Sequence, residues 1–266
     1  MLASGWTLAL ALASVIPWRE VQPGLERAEF LAARSGPLSR VRIVALRLDP
    51  CRVRLELVER SRDEGTLGAW AVDSLPDQAM LAFNAGQFRG GAPWGWHVRD
   101  GVEVQPPGSG TLAMAITLGA SGRVSLVTPA EIPALRTNVR AAFQSYPTLL
   151  VDSVPPRELR APGRGVDLMH RDSRLALGTT SSGQVLLLLT RFEAVAGIGS
   201  TLPYGPTIPE LATLMRRLGA TRAVGLDGGL SSQLAMRERS GALVKWTNWR
   251  LVPMGVVGRA VTKCYG

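Results

Sequence analysis

The sequence predicts an α+β (mixed α/β) fold, in which mixed, largely antiparallel sheets pack with a few helices. Three observations carry that expectation. Glycine and proline number 29 and 18 of 266 residues and cut the chain into short segments. Most of those segments are strand-like, either alternating apolar with charged residues or apolar throughout. Only residues 207–218 carry the spacing of a clear amphipathic helix. With 46% hydrophobic residues the chain can bury a substantial core, and one domain behind an N-terminal leader is expected.

Residues 6–16 form an uncharged run, too short for a membrane span but suited to a secretory signal, with Ala11-Leu12-Ala13 resembling a cleavage site. They predict export, to the periplasm or beyond, or a membrane tether through this segment. Residues 17–37 are punctuated by Pro and Gly and read as a linker, so residues 1–38 are taken as leader and linker and 39–266 as the domain. Val41-Arg42-Ile43 and Val53-Arg54-Leu55-Glu56-Leu57 alternate at period two, the mark of half-exposed strands joined through Asp49-Pro50. Residues 79–83 are a short apolar strand ending at Asn84.

Asp100-Gly101 predicts a tight hairpin, since both central residues of that turn need positive φ. Residues 112–118 and 124–127 form a second hairpin, and 175–179 with 185–190 a third. The run at 185–189 is apolar throughout and belongs in the middle of a sheet, covered on both faces. Thr207-Ile208-Pro209-Glu210 has capping-box spacing, and Leu211, Leu214, Met215 and Leu218 then repeat on one helical face before Gly219. The helix delivers the chain to an apolar strand at 223–226.

The net charge is +9, and of 30 basic residues only Lys245 and Lys263 are lysine. The arginines are scattered, without interleaved aromatics or a nucleic-acid motif, which argues against a nucleic-acid partner and leaves an anionic substrate or surface. Cys51 and Cys264 are the only cysteines; they are too few for a metal site and either pair as one disulfide or serve as small apolar residues.

Four clusters could carry chemistry. In Gly225-Leu226-Asp227-Gly228-Gly229-Leu230-Ser231-Ser232 an apolar strand stops at a carboxylate, two glycines and two hydroxyls, the pattern of a strand-end site. Asp-Gly-Gly is also ordinary turn chemistry. Asn84-Ala85-Gly86-Gln87-Phe88 repeats the pattern after another strand, with Asn84 placed to hydrogen-bond a sugar hydroxyl or a metal-bound water, or simply to shape its turn. In the segment from His170 to Gly178, Arg174 is the preferred anion binder because its planar fork holds two phosphate oxygens at once, with Asp172 as a second carboxylate or merely its ion-pair partner. Trp94, Trp96 and His97 lie in a glycine-spaced loop, where the tryptophans could stack on a sugar or anchor the core.

Taken in order, strand-Asn-x-Gly-x-Phe, then Tyr146-Pro147-Thr148-Leu149-Leu150-Val151, then Arg174 before a strand, the amphipathic helix, and Leu-Asp-Gly-Gly-x-Ser-Ser resemble the phosphodiester glycosidase family. The resemblance runs from about residue 41 to 257. Asn84, Gly86, Arg174, Asp227, Gly228, Gly229 and Ser231 match the family pattern, whereas Ala85, Gln87, Tyr146 and Leu230 depart from it. It implies a hydrolase that removes a sugar from a glycosyl phosphodiester, as the family's best-known relative removes N-acetylglucosamine, on envelope or exopolysaccharide glycans as bacterial members do. A non-catalytic glycan-binding protein of the same fold is the alternative.

The chemistry makes its own demands. The leaving phosphate is already a stable anion, so a strong general acid matters less than a cation at the phosphate, a carboxylate at the anomeric centre and hydrogen bonds to the ring. Arg174, Asp227 and Asn84 meet these in turn, as catalytic residues. Gly86, Gly228, Gly229, Ser231, Ser232, Asp172, Trp96 and His97 are expected to bind substrate. A divalent cation, calcium or magnesium, stays open as a cofactor, and no metal ligands are assigned.

Overall fold

The computed structural model describes residues 16–264 apart from 34, 60–69, 90, 120, 137–138, 162–166, 194–203, 248 and 263. The expected leader lies outside the described residues except for 16–18. Three sheets form the body. A seven-stranded sheet runs in the order Arg19–Gln22, Leu25–Leu31, Val41–Leu48, Val185–Phe192, Leu175–Thr180, Ala220–Gly225, Thr148–Leu150. A five-stranded sheet has the order Leu243–Trp246, Leu234–Arg237, Ala79–Asn84, Met254–Ala260, Val53–Glu59. Another has the order Val124–Val127, Met114–Leu118, Ala141–Ser145, His97–Arg99, Val102–Gln105.

The expected class holds in its coarse form, an antiparallel, sheet-dominated domain with few helices. The sheets are not mixed, however: every ladder among the described residues is antiparallel, from the hairpins to long-range pairs such as Val41–Leu48 with Val185–Phe192. Residues 19–31, read as linker, form two strands that extend the large sheet from Val41–Leu48. No period-two pattern marks them: within Leu25–Leu31 only Leu25 and Ala28 are buried, three residues apart, and Pro23-Gly24 interrupts the segment, with Gly24 at φ 80 making the turn. The strands on either side of Asp49-Pro50 do not share a sheet, and the first is central rather than half-exposed.

Both faces of the large sheet are covered. On one, Ile43, Ala45, Ala176, Leu186 and Leu188 meet Leu211, Leu214 and Met215 of the helix Ile208–Arg217. On the other, Val44, Leu46, Leu177, Leu187 and Val224 meet Leu81, Phe83, Ile116 and Phe143 from the two smaller sheets. Full burial of each Val, Leu, Ile, Phe or Met side chain among these stabilises by roughly 1.5–3 kcal/mol, so the all-apolar run at 185–189 is central as its composition required. The helix begins with a complete capping box, the Thr207 side chain accepting from Glu210 N and the Glu210 side chain accepting from Thr207 N. Asp100 and Gly101 have φ of 49 and 80, as their turn demands. Cys51 and Cys264 form a disulfide across a sequence separation of 213.

Candidate active site

Three strand ends meet beside the helix N-terminus. The chain leaving Ala220–Gly225 passes through Leu226 to Asp227; Arg174 precedes the neighbouring strand, and Asn84 closes a strand of a different sheet. Backbone bonds stitch them together: Leu226 N to Leu175 O at 2.8 Å, Asp227 N to Gly86 O at 2.8 Å and Gly229 N to Ser173 O at 2.9 Å. A cavity of about 180 Å³ opens there, its polar lining formed by Gln87, Asp172, Arg174, Asp227 and Gly228. A larger open cleft of about 1030 Å³ borders the disulfide, but no carboxylate lines it and its Arg222 is paired with Glu131 at 2.7 Å.

Arg174 is held by two backbone acceptors, Nε on Pro206 O at 3.1 Å and Nη2 on His170 O at 2.8 Å. These bonds fix the plane of the guanidinium while Nη1 makes no hydrogen bond among the described residues. Burial lowers its pKa, opposed by the charges of Asp172 and Asp167. An arginine stays ionised under such a shift, and a partly desolvated cation attracts a phosphate more strongly than one in open water. The bidentate Arg171–Glu210 pair, at 2.8 and 3.0 Å, ties this segment to the helix.

Both carboxylates have raised pKa values. For Asp227 burial is the main cause; the Ser231 hydroxyl bond and the Arg250 charge oppose it, and the Asp172 charge adds to the rise. For Asp172 burial again leads, against the Arg174 charge, the Ser173 N–H at 2.8 Å and His170. The glycines between them have steric reasons. A Cβ on Gly228 would lie 2.8 Å from Ser173 O, and one on Gly229, at φ 56, would lie 2.8 Å from the Asp172 carboxylate. Ser232 and Ser173 both donate to Gly229 O at 2.9 Å and lie 3.1 Å apart, bracing the turn from below.

Asn84 occupies a different place from the one expected of a sugar ligand. It is fully buried, its Nδ2 donates to Asp227 O at 2.8 Å and its Oδ1 accepts from Gln233 N at 2.9 Å. Both ends of the amide are used by backbone, so Asn84 positions Asp227 rather than touching a substrate. Gly86 likewise acts through its carbonyl. An Asn84→Ala variant orphans a buried donor and a buried acceptor, and a loss of about 1–3 kcal/mol per orphaned group is expected. Thermal denaturation checks this, and a melting temperature equal to wild type would remove the positioning role.

Trp96 and His97 do not line the cavity. Trp96 is fully buried, its indole N–H donates to Glu103 at 2.9 Å and its backbone N–H to Gln144 at 2.8 Å. His97 is buried against Glu59, with Nε2 at 2.6 Å from the carboxylate. Neither ring has a face to offer a sugar. Trp94, two residues earlier, is half-buried, packs edge-on against Tyr146 with centroids 4.9 Å apart, and donates its backbone N–H to Gln87 O at 2.8 Å.

Residues 77–259, which include Asn84, Asp172, Arg174 and the Asp227 turn, match the phosphodiester glycosidase family. The chain belongs to that family. Among solved structures it is similar to a hypothetical protein from Synechocystis, at 14% identity and a TM-score of 0.60, covering 94% of this chain and 64% of that one. This chain thus spans less than two thirds of that protein. It is also similar to the catalytic domain of zebrafish N-acetylglucosamine-1-phosphodiester α-N-acetylglucosaminidase, auto-inhibited by its pro-peptide, at 18% identity and a TM-score of 0.63, covering 90% of this chain and 84% of that one. At these identities the likeness is one of fold. No curated protein matches the sequence.

Within this family member, two residues near the site were not anticipated from the sequence, Gln87 and Arg250. The charge of Arg250 reaches Asp227, and its backbone is pinned by Arg250 N to Leu230 O at 3.0 Å and by Gln233 Nε2 to Arg250 O at 3.2 Å. No local signal marks it, since it lies outside every motif. Gln87 lines the cavity and donates to Tyr146 O at 3.1 Å.

Proposed function

We propose that the protein hydrolyses a glycosyl-1-phosphodiester, releasing the free sugar and a phosphomonoester. The observation that supports this most is one cavity bordered by a desolvated arginine and two carboxylates of raised pKa, inside the region that matches the family. Arg174 holds the phosphate and stabilises its charge as the glycosidic bond breaks. Asp227, held by Ser231, faces the anomeric centre as the ionised carboxylate that activates water or stabilises the oxocarbenium-like state. Asp172 supplies the second carboxylate, and Gln87 and the backbone at Gly228 orient the sugar.

No group of three or more Asp, Glu, His or Cys side chains gathers as a metal centre among the described residues. Asp172 and Asp227 could still hold a magnesium-like ion together with substrate oxygens and water, the usual arrangement for that metal. Such an ion would add positive charge at the phosphate. We further propose an exported protein, periplasmic or secreted and acting on envelope glycans; the disulfide and the uncharged run at 6–16 support this. Among the described residues no helix is long and apolar enough to cross a membrane.

The test is a panel of hexosyl and N-acetylhexosaminyl phosphodiesters bearing a methyl aglycone, incubated with the full chain with and without chelator. Appearance of reducing sugar and methyl phosphate in equal amounts is the expected result. Saturable glycan binding without product would replace this reading with that of a non-catalytic glycan-binding protein.

A further inference from the structure

The cavity at Arg174 and Asp227 is small. At about 180 Å³ it falls below the roughly 300–1,000 Å³ of sites that enclose a whole drug-sized ligand. It takes one sugar ring or one phosphate, so the rest of a glycosyl phosphodiester must lie across the rim. That rim has a definite chemistry.

Ten large apolar side chains are exposed among the described residues, and five of them belong to segments that line or brace this cavity. Tyr146 precedes the lining residue Pro147 and receives Gln87 on its carbonyl. Met169, 81% exposed, precedes His170, whose carbonyl holds Arg174. Leu230 follows the Asp-Gly-Gly turn, and Trp249 and Leu251 flank Arg250, whose N–H is bonded to Leu230 O. The other five lie elsewhere: Val102, Val104 and Leu243 on edge strands, Val154 in a turn beside one, and Leu31 at the end of the second strand of the large sheet. None of the first five lines the cavity itself, but each stands on a segment that leads into it or braces it, and exposed apolar groups gathered on such segments mark a binding surface rather than ordinary surface composition.

Resting on the phosphodiester glycosidase reading above, we propose that the group on the far side of the phosphate is a lipid alcohol, so that the substrate is a glycosyl phospholipid. Tyr146 and Trp249 are aromatic, but Met169, Leu230 and Leu251 make up the larger part of the group and offer only aliphatic surface, which suits a hydrocarbon chain and gives a sugar ring neither a flat face nor a hydrogen bond. Arg250, set between Trp249 and Leu251, adds a second cation whose charge reaches Asp227 and complements the anionic link between the sugar and the chain. Water attacks the anomeric carbon and gives up one proton, first to the Asp227 carboxylate and then to solvent or the departing phosphate, while the glycosidic C–O bond breaks and the lipid leaves as its phosphomonoester with the bonding electrons on the phosphate oxygen. No further reactant is needed.

The experiment measures kcat/KM on glycosyl phosphodiesters of one sugar with methyl, butyl, hexyl and octyl aglycones, all below their micellar concentrations. Burial of a methylene contributes about 0.8 kcal/mol when complete, so partial to full burial on the rim predicts a rise of about two- to fourfold per carbon over the first few carbons. The double variant Leu230→Ser/Leu251→Ser and, separately, Met169→Ser should flatten that slope. The octyl-to-methyl ratio is the readout, because a general loss of activity cancels in it. Turnover of the methyl ester with a flat chain-length profile, or a slope unchanged in both variants, would overturn the lipid assignment alone. Absence of turnover on every aglycone, octyl included, would overturn the glycosidase reading together with it.

Discussion

Replacing Arg174 with alanine lowers kcat on a glycosyl phosphodiester by about 100- to 1,000-fold, the usual loss when one preorganised electrostatic contact to a developing anion is removed. The magnitude follows from the setting of the side chain. Its two hydrogen bonds to Pro206 O and His170 O fix the guanidinium before substrate arrives, so no reorganisation is needed in the transition state. The His170 carbonyl is exposed and finds water, whereas Pro206 is buried, so stability falls by about 1–3 kcal/mol, the cost of leaving one buried acceptor without its partner. Arg174→Lys restores the charge but neither the planar fork nor both anchoring bonds, and it should recover only a minor part of the rate. Steady-state kinetics alongside thermal denaturation checks the pair. Wild-type kcat in a folded Arg174→Ala protein would exclude Arg174 from the phosphate site.

What the sequence made legible was local. Asp100-Gly101 announced its hairpin, and Thr207 with Glu210 announced the helix, because turn and cap chemistry are decided within four residues. Asp172, Arg174, Asp227 and Gly228 were legible for a similar reason, since glycines just beyond a strand leave room where Gly228 passes Ser173 and Gly229 passes Asp172, whereas Gln87 stood out only as a departure from the family pattern. Long-range geometry was hidden. The amide of Asn84 looks the same in sequence whether it faces a sugar or, as found, bridges backbone groups 143 and 149 residues away. Trp94 and Trp96 share one loop and one residue type, and only the packing of Glu103 and Gln144 buries the second. Residues 19–31 carry no clean alternation, and only pairing with Val41–Leu48 makes them strands rather than a linker. Arg250 reaches the site through a backbone contact to Leu230, which no spacing rule anticipates.

The second large effect is expected at Asp227, where activity and stability should move in opposite directions. Asp227→Asn removes the carboxylate at the anomeric centre, and a rate loss of at least about 100-fold follows from the size of such electrostatic terms. The stability sign comes from the raised pKa. A carboxyl whose pKa is higher folded than unfolded binds its proton more tightly in the native state, so ionising it costs stability. The cost is absent below the ordinary carboxylate pKa of about 3.9, grows as pH rises through the interval up to the folded value, and is fully present above it. Asparagine keeps the shape and a partner for Ser231 without the buried charge beside Asp172. At neutral pH the variant should therefore melt at or above the wild-type temperature while being nearly inactive, and its advantage should vanish as the pH approaches 3. Melting curves from pH 3 to 8 measure the sign directly. A variant less stable than wild type at pH 7, with the gap closing in acid, would mean that Asp227 is ionised at a profit to the fold and is a structural anchor of the turn.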